Sequence, residues 1–508
     1  MIRAAQKNPG PDGIYRIHAK NTPNKVAVVS GGRRLTFAEV DRDIDRLAAG
    51  LRARGIGRGA AVALALENRS EFLIAQAACH RVGAAAVSVS WRSTSDEIAY
   101  VLADSGARAI FFEADLADRV GAAKERLGRT IDCVAVGDDP AGFLRWEEYL
   151  ARTPERFAGE RGGSVVIYTS GTTGRPKGAV RKFGKASMDA VLGFIAETPF
   201  AHDERHLVVC PLYHSAAFAF ASMTLLVGGT ILIEPGFDAK KFVDVVPRER
   251  VTSVVLVPTM LHRMMELPRE DFSQTTLRSL RAIYSAAAPL PPTLASEALR
   301  RIGPVLFNFY GATETGLVTL AKPADLAARP DTVGRALPGN HIRLLGDDGR
   351  EVPTDAVGEL WVKNPTLIAG YHGNDEATGE SMQDGYFSVG DLARRDFEGR
   401  YFIVGRKRDM IISGGVNIYP REVEIAIESH PAVSETAVVG VDDAEWGERV
   451  RAFVVAKAGA ECDAQSILAH CRTLLSGPKV PREVVFLPEL PKNPTGKVLK
   501  RELREWKG

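Results

Sequence analysis

From residue 36 to residue 309 the chain alternates helix-length amphipathic segments with short, almost wholly apolar runs, and few architectures accept that rhythm. Thr36-x-x-Glu39 is a capping box, in which a hydroxyl and a carboxylate satisfy two orphan backbone donors at a helix start. Behind it Val40, Ile44, Leu47, Ala48 and Leu51 share one face of a helix that Gly55 ends. Residues 61–66 then read as a buried strand, followed by a helix beginning near Ser70 and strands at 84–87 and 109–112. Runs at 165–168, 206–210, 253–257, 282–285 and 305–309 continue the series. Strands separated by helices need crossover connections, so largely parallel sheets with helices on both faces are expected. Past Gly334 the texture changes to short strands (342–345, 358–362, 401–404) broken by Gly/Asp turns, as in a small antiparallel sheet or barrel. After Arg406 the pattern is mixed α+β, with strands at 435–441 and 450–455 and a helix near 464–475. The charged turn Gly405-Arg-Lys-Arg-Asp409 divides the chain into a large part (1–405), a hinge (406–409) and a small part (410–508).

Composition narrows the class without naming it. The 508 residues carry 65 Lys+Arg against 63 Asp+Glu, a net charge of +2, so the chain as a whole is not marked for nucleic acid or an anionic membrane. Five cysteines (Cys79, Cys133, Cys210, Cys462, Cys471) with no C-x-x-C spacing argue against a disulfide framework or a cysteine zinc site. Residues 210–233 hold no Asp, Glu, Lys or Arg and are long enough to span a bilayer. Pro211, Tyr213-His214-Ser215 and Gly228-Gly229 interrupt them, so a buried helix followed by a buried strand is expected instead. The N-terminus lacks the apolar core of a secretory signal, and Glu505-Trp-Lys-Gly508 is neither a prenylation box nor a peroxisomal tripeptide. A cytoplasmic chain without a membrane span is the expectation, and a homodimer is compatible with it.

The sharpest local signal is Tyr168-Thr-Ser-Gly-Thr-Thr-Gly-Arg-Pro-Lys177-Gly. Gly171, Gly174 and Gly178 let the backbone curl so that successive N–H groups form an anion-binding concavity. Ser170, Thr172 and Thr173 add hydroxyls and Lys177 a positive charge, a set suited to nucleotide phosphates. The glycine and lysine spacing does not fit a Walker A loop. A flexible linker shares this composition, but the preceding strand and the ordered Pro176-Lys177 pair argue against one.

Five further segments follow in order: Pro211-Leu-Tyr-His214-Ser, Tyr310-Gly-Ala-Thr-Glu314-Thr, Gly385-Tyr-Phe-Ser-Val-Gly-Asp391, Gly405-Arg-Lys-Arg-Asp409 and Pro491-Lys-Asn-Pro-Thr-Gly-Lys497. Together with the loop they resemble the signature set of the adenylate-forming (AMP-binding) superfamily, which includes acyl-CoA synthetases, peptide-synthetase adenylation domains and luciferases. Gly440-Val-Asp-Asp-Ala-Glu-Trp446-Gly-Glu-Arg-Val-Arg451 points to the acyl-CoA synthetase branch. The resemblance implies an α/β fold: a large N-terminal domain of two doubly wound sheets plus a small β-barrel, and a smaller mobile α+β C-terminal domain.

In such an enzyme a carboxylate attacks the α-phosphorus of ATP in line and expels pyrophosphate, so the site must neutralise and position two anions. By resemblance, Thr169, Ser170, Gly171, Thr172, Thr173, Gly174 and Lys177 grip the triphosphate, and Thr313 meets the α-phosphate. Glu314 is the implied Mg²⁺ ligand, in keeping with that cation's preference for one or two carboxylates plus phosphate oxygens. Asp391 would accept both ribose hydroxyls and Arg406 contact ribose and phosphate. Tyr310, followed by Gly311, would lie against adenine, with Asn308 and the backbone of Ala286, Ala287 and Ala288 reading its edge. Lys497 resembles the mobile lysine that bridges the acid carboxylate and the α-phosphate, and His214 joins Lys497, Thr313 and Glu314 in the implied catalytic set. Ser413, Gly414 and Gly415 resemble the hairpin that lines the pantetheine tunnel once the small domain rotates. The hinge position is Arg408, where the family usually carries Asp or Lys.

His214 stands beside Tyr213 where amino-acid-activating relatives usually carry an aspartate, so an α-ammonium would be left unpaired in the site. An acid without an α-amine is expected. The chain closes shortly after Lys497 with no carrier domain behind it, so free coenzyme A is the expected acceptor. The run Ala216-Ala-Phe-Ala-Phe220 and Val257-Pro-Thr-Met260 suggest an apolar pocket wall, pointing first to a fatty acid and next to an aryl or other hydrophobic acid. A stand-alone adenylating enzyme that loads a carrier protein is the nearest rival. A luciferase-like oxygenase and a catalytically silent nucleotide-binding protein are the more distant ones.

Overall fold

The computed structural model describes residues 11–138, 140, 142–150, 162–169, 176–182, 184–268, 270–271, 276–492 and 497–506. The capping box at Thr36 opens the helix α1 (Phe37–Ala53): Thr36 Oγ1 accepts from Glu39 N at 3.3 Å, and Glu39 Oε2 accepts from Thr36 N at 2.8 Å. Val40, Ile44, Leu47, Ala48 and Leu51 are completely buried, as the spacing requires. Thr36→Ala should lower stability by about 1 kcal/mol, read as a lower urea midpoint.

Two large sheets carry the N-terminal domain. One has seven strands in the order Leu144–Arg145, Asp132–Val136, Ala109–Glu113, Ala61–Ala65, Ala85–Ser88, β1 (Ser164–Thr169) and β2 (Lys177–Lys182). Every neighbouring pair is parallel except the last. β1 and β2 form an antiparallel hairpin with Thr169 opposite Lys177, because their connection is far shorter than the roughly dozen residues a parallel crossover needs. Lys177 therefore sits on a strand and not in the loop.

The second sheet has nine strands: a parallel centre, with antiparallel pairs at both edges. The charge-free stretch resolves into the helix α2 (Ser215–Leu226) and the fully buried strand Thr230–Ile233 of this sheet. Among the described residues no helix is long and apolar enough to cross a membrane. β3 (Leu306–Ala312) of the same sheet brings the Tyr310–Ala312 segment to the site.

The barrel expected past Gly334 takes the form of a five-stranded antiparallel sheet, in which β4 (Tyr386–Arg395) is paired on one side to Gly358–Lys363 and on the other to β5 (Tyr401–Arg406). Arg406, the first residue of the expected hinge, is the last residue of β5, in register with Asp391. Only Lys407–Asp409, a single 3₁₀ turn, lies between β5 and the small domain. That domain packs the helix Pro420–Glu428 and the helix Ala464–Leu474 on a second five-stranded sheet, which includes β6 (Ile411–Ser413) and β7 (Val416–Ile418).

Candidate active site

A cavity of about 1670 Å³ lies where the two large sheets, the antiparallel sheet and the small domain meet. Thr169, Lys177, Thr313, Glu314, Asp391, Arg406 and Lys497, which come from separate stretches of the sequence, all stand on its wall. Gly311, Ala287, His214 and Arg408 line it as well. Ser170, Gly171, Thr172, Thr173 and Gly174 lie outside the described residues, while Thr169 and Lys177 face each other across the β1–β2 pair.

The Glu314 carboxylate is held on one oxygen. Thr169 Oγ1 donates to Oε1 at 3.0 Å and the Tyr371 hydroxyl donates to the same oxygen at 3.3 Å. The Lys177 ammonium stands 5.3 Å from the centre of the Tyr371 ring, a cation–π arrangement. Both hydroxyls meet Oε1, so Oε2 is the oxygen with capacity left for a further partner. Thr313 and Ser215 share a hydroxyl–hydroxyl hydrogen bond at 3.2 Å, joining β3's turn to the start of α2.

Asp391 is 7% exposed and anchors the second group. Arg406 Nε pairs with Oδ1 at 3.0 Å, and the Tyr310 hydroxyl donates to Oδ2 at 2.7 Å. Burial and the adjacent Asp391 charge raise the Tyr310 phenol well above its ordinary pKa, so it remains a donor. Lys497 lines the cavity half-buried, within reach of the Asp391 and Arg406 charges. Burial, reinforced by the positive charges of Arg406 and Arg408, pushes its ammonium down to about 8, while Asp391 and Asp409 oppose the shift. Burial and the neighbouring Arg406 lower Arg408 too.

His214 occupies the N-cap position of α2, its ring 4.1 Å from that of Tyr213. Its Nε2 is buried without a hydrogen-bond partner among the described residues. Burial, then Arg92, pushes its pKa down to about 4, and a helix N-terminus disfavours a cation further, so the imidazole is neutral at physiological pH.

Not every expected residue reaches the wall. Asn308 and Tyr310 stand behind it, where Asn308 Nδ2 donates to the Thr332 carbonyl at 2.9 Å. Of the Ala286–Ala288 segment, Ala287 reaches the cavity, held at a φ of 70° that non-glycine residues seldom adopt. Ser413, Gly414 and Gly415 lie away from the cavity wall on the β6–β7 turn. Both glycines have positive φ (57° and 79°), and a Cβ at Gly414 would come within 2.6 Å of the Trp446 ring.

Tyr371 and Arg181 are among the wall residues that sequence reasoning missed. Tyr371 carries no motif. Arg181 could have been found: it shares one face of β2 with Lys177 and Ala179, so a strand delivering one cation delivers the second.

Away from the polar end the cavity is apolar. On α2 the residues with residual exposure are Ser215, Ala216, Ala219 and Ser222, one helical face, and all four line the cavity. Phe220 and Phe309 also line it, and Phe220 packs on Tyr284 (4.6 Å between centroids) and Phe194 (5.5 Å).

Residues 15–372 match the family model of the AMP-binding enzyme, and residues 422–497 match that of the AMP-binding enzyme C-terminal domain. The chain belongs to this family and is an acid–thiol ligase of the acyl-CoA synthetase type. It is 39% identical over 490 residues to the feruloyl-CoA synthase of Amycolatopsis sp, with 96% of each chain covered. It is 34% identical over 477 residues to the long-chain-fatty-acid–CoA ligase FadD13 of Mycobacterium tuberculosis, with 93% of each covered. The crystal structure of ATP-bound MatB from Rhodopseudomonas palustris matches it with a TM-score of 0.89 at 31% identity, over 98% of both chains.

Proposed function

We propose that this chain converts a hydrophobic carboxylic acid lacking an α-amine, ATP and coenzyme A into acyl-CoA, AMP and pyrophosphate through an acyl-adenylate. The observation that carries the reading is the convergence on one cavity of Lys497, Arg406, Lys177, Thr313 and Glu314 at a polar end and the small-residue face of α2 at an apolar one. Lys497 is assigned the bridging position between carboxylate and α-phosphate, where an ammonium offsets charge that grows in the transition state. Asp391 and Arg406 are assigned to the ribose, with the Tyr310 hydroxyl holding Asp391 Oδ2 from behind the wall, and Thr169 and Lys177 are assigned to the phosphates. Neutral His214 is assigned to the carboxylate end of the acid slot. Its orphaned Nε2, when protonated in the appropriate tautomer, can donate there without adding charge.

Glu314 suits Mg²⁺, because it offers one open carboxylate oxygen and that cation takes one or two carboxylates beside phosphate oxygens. When bound, the ion would offset phosphate charge. Ser413, Gly414 and Gly415 are assigned to the pantetheine chain, reached by rotation at Arg408, and the small domain is assigned the mobile role.

For the acid, an aryl-bearing body is the first assignment, supported by the partly exposed Phe309 ring on the wall, which Phe194 backs edge-on and the buried Phe220 packs against. A fatty chain is the second, favoured by the length of the slot. From Ser215 to Leu226, both on the wall, α2 runs about 16 Å at 1.5 Å per residue. Pyrophosphate release measured across aryl, fatty and amino acids, with free coenzyme A or a pantetheinylated carrier as acceptor, tests the whole reading. Release with amino acids alone, or thioester formation on the carrier alone, would overturn it.

A further inference from the structure

We propose that Arg181 is a positioning residue of the nucleotide site, a two-point clamp that sets the Thr313–Glu314 turn for the phosphates. The proposal rests on the adenylating reading above. Arg181 stands on β2 four residues past Lys177 and lines the cavity. Its two terminal nitrogens donate to two different main-chain carbonyls, one to Thr366 O at 2.6 Å and the other to Thr313 O at 2.6 Å. Among the described residues no carboxylate lies within ion-pair distance of it: two neutral carbonyls hold its terminal nitrogens, and the Glu314 carboxylate favours its charge through space.

Those carbonyls belong to segments that other hydrogen bonds also join. Asn364 Nδ2 and Thr366 Oγ1 donate to Thr315 O at 3.0 and 3.2 Å, and Ile368 N donates to Glu314 O at 2.9 Å. Arg181 adds the bond to Thr313 O, which holds the main chain from which the Thr313 hydroxyl and the Glu314 carboxylate reach their own partners, Ser215, Thr169 and Tyr371. A planar guanidinium can hold two carbonyls at once from two separate nitrogens, whereas an ammonium offers one nitrogen. The charge is offset in part by the Glu314 carboxylate acting through space, and it stands beside a site built for a polyanion, where desolvation is expensive without such a ligand.

The test compares Arg181→Lys and Arg181→Met with the parent enzyme. Affinity for a non-hydrolysable ATP analogue, measured by calorimetry with no turnover, should fall at least tenfold in both variants. The KM for ATP should rise in step, while the KM values for acid and coenzyme A stay within twofold. A purely structural staple would lower the melting temperature and the yield of active enzyme but leave analogue affinity unchanged, and that result would overturn the proposal. So would parent-like affinity in Arg181→Lys, because charge without the fork would then suffice. Should Arg181→Met fail to fold, Arg181→Lys, which keeps the charge and most of the volume, decides alone. Since the calorimetry needs no acid and no thiol, failure of the proposed reaction itself would show separately, as absence of pyrophosphate release in the parent.

Discussion

Replacing Lys497 with alanine is expected to cut acyl-adenylate formation roughly a thousandfold, the scale seen when one preorganised charge-stabilising donor is deleted. Thioester formation from supplied acyl-adenylate should be nearly intact, since by then the two anions have already been joined. The structure adds a pH signature. The ammonium is pushed down to about 8 by burial and by Arg406, and only the charged form can offset the growing negative charge. The kcat/KM of the first half-reaction should therefore fall as pH rises through about 8, because that ratio reports the free enzyme.

Stability should respond in the opposite sense. A lysine whose folded pKa lies below its unfolded value weakens the fold while it is charged, and the penalty fades as pH climbs from about 8 toward 10.5. Lys497→Ala should therefore melt higher than the parent at pH 7, with the gap closing in alkaline buffer. Equal losses in both half-reactions would remove Lys497 from the bridging role, whatever the melting data.

The architecture was legible in the sequence wherever a periodic pattern meets a single physical demand. Residues 36–55 state a cap, an apolar stripe and a stop, and the helix follows them almost to the residue. The stretch 210–233 is uncharged because it forms a helix buried except for the face that lines the cavity and then a fully buried strand, and its interrupting glycines mark the turn between the two. The β1–β2 hairpin was harder to see, since a glycine-rich loop after a strand looks the same whether the chain then crosses over or doubles back. Only the short reach from Thr169 to Lys177 separates the two outcomes. Motif residues with charged side chains, Glu314, Asp391, Arg406 and Lys497, were readable as a set and do share one wall. Their partners were not readable. Tyr371 is an ordinary aromatic until Glu314 is placed beside it, and the Tyr310 hydroxyl meets Asp391 across a contact between two different sheets. Such pairings depend on the relative placement of sheets, which no local spacing encodes.

Asp391→Asn should raise the KM for ATP by about a hundredfold and also move the alkaline limb set by Lys497. The carboxylate takes a donor on each oxygen, Arg406 at 3.0 Å and the Tyr310 hydroxyl at 2.7 Å. An amide has one oxygen and one nitrogen, so in either orientation an N–H₂ group faces a donor, and Arg406 loses its ion pair in a largely buried setting. Losing a hydrogen bond to a charged group costs about 1.5–3 kcal/mol, the upper end of which is close to two decades in affinity. The same carboxylate is among the groups that favour the charged form of Lys497, against burial and two arginines. Without it the ammonium should lose its proton more easily, and the fall in kcat/KM should begin below pH 8. The two readouts are independent: the first follows from hydrogen bonds in contact and the second from a field acting at longer range. A raised KM with an unmoved limb would confine Asp391 to the nucleotide, whereas a moved limb with normal ATP binding would mean that its ribose assignment is wrong and that its work is to keep the lysine charged.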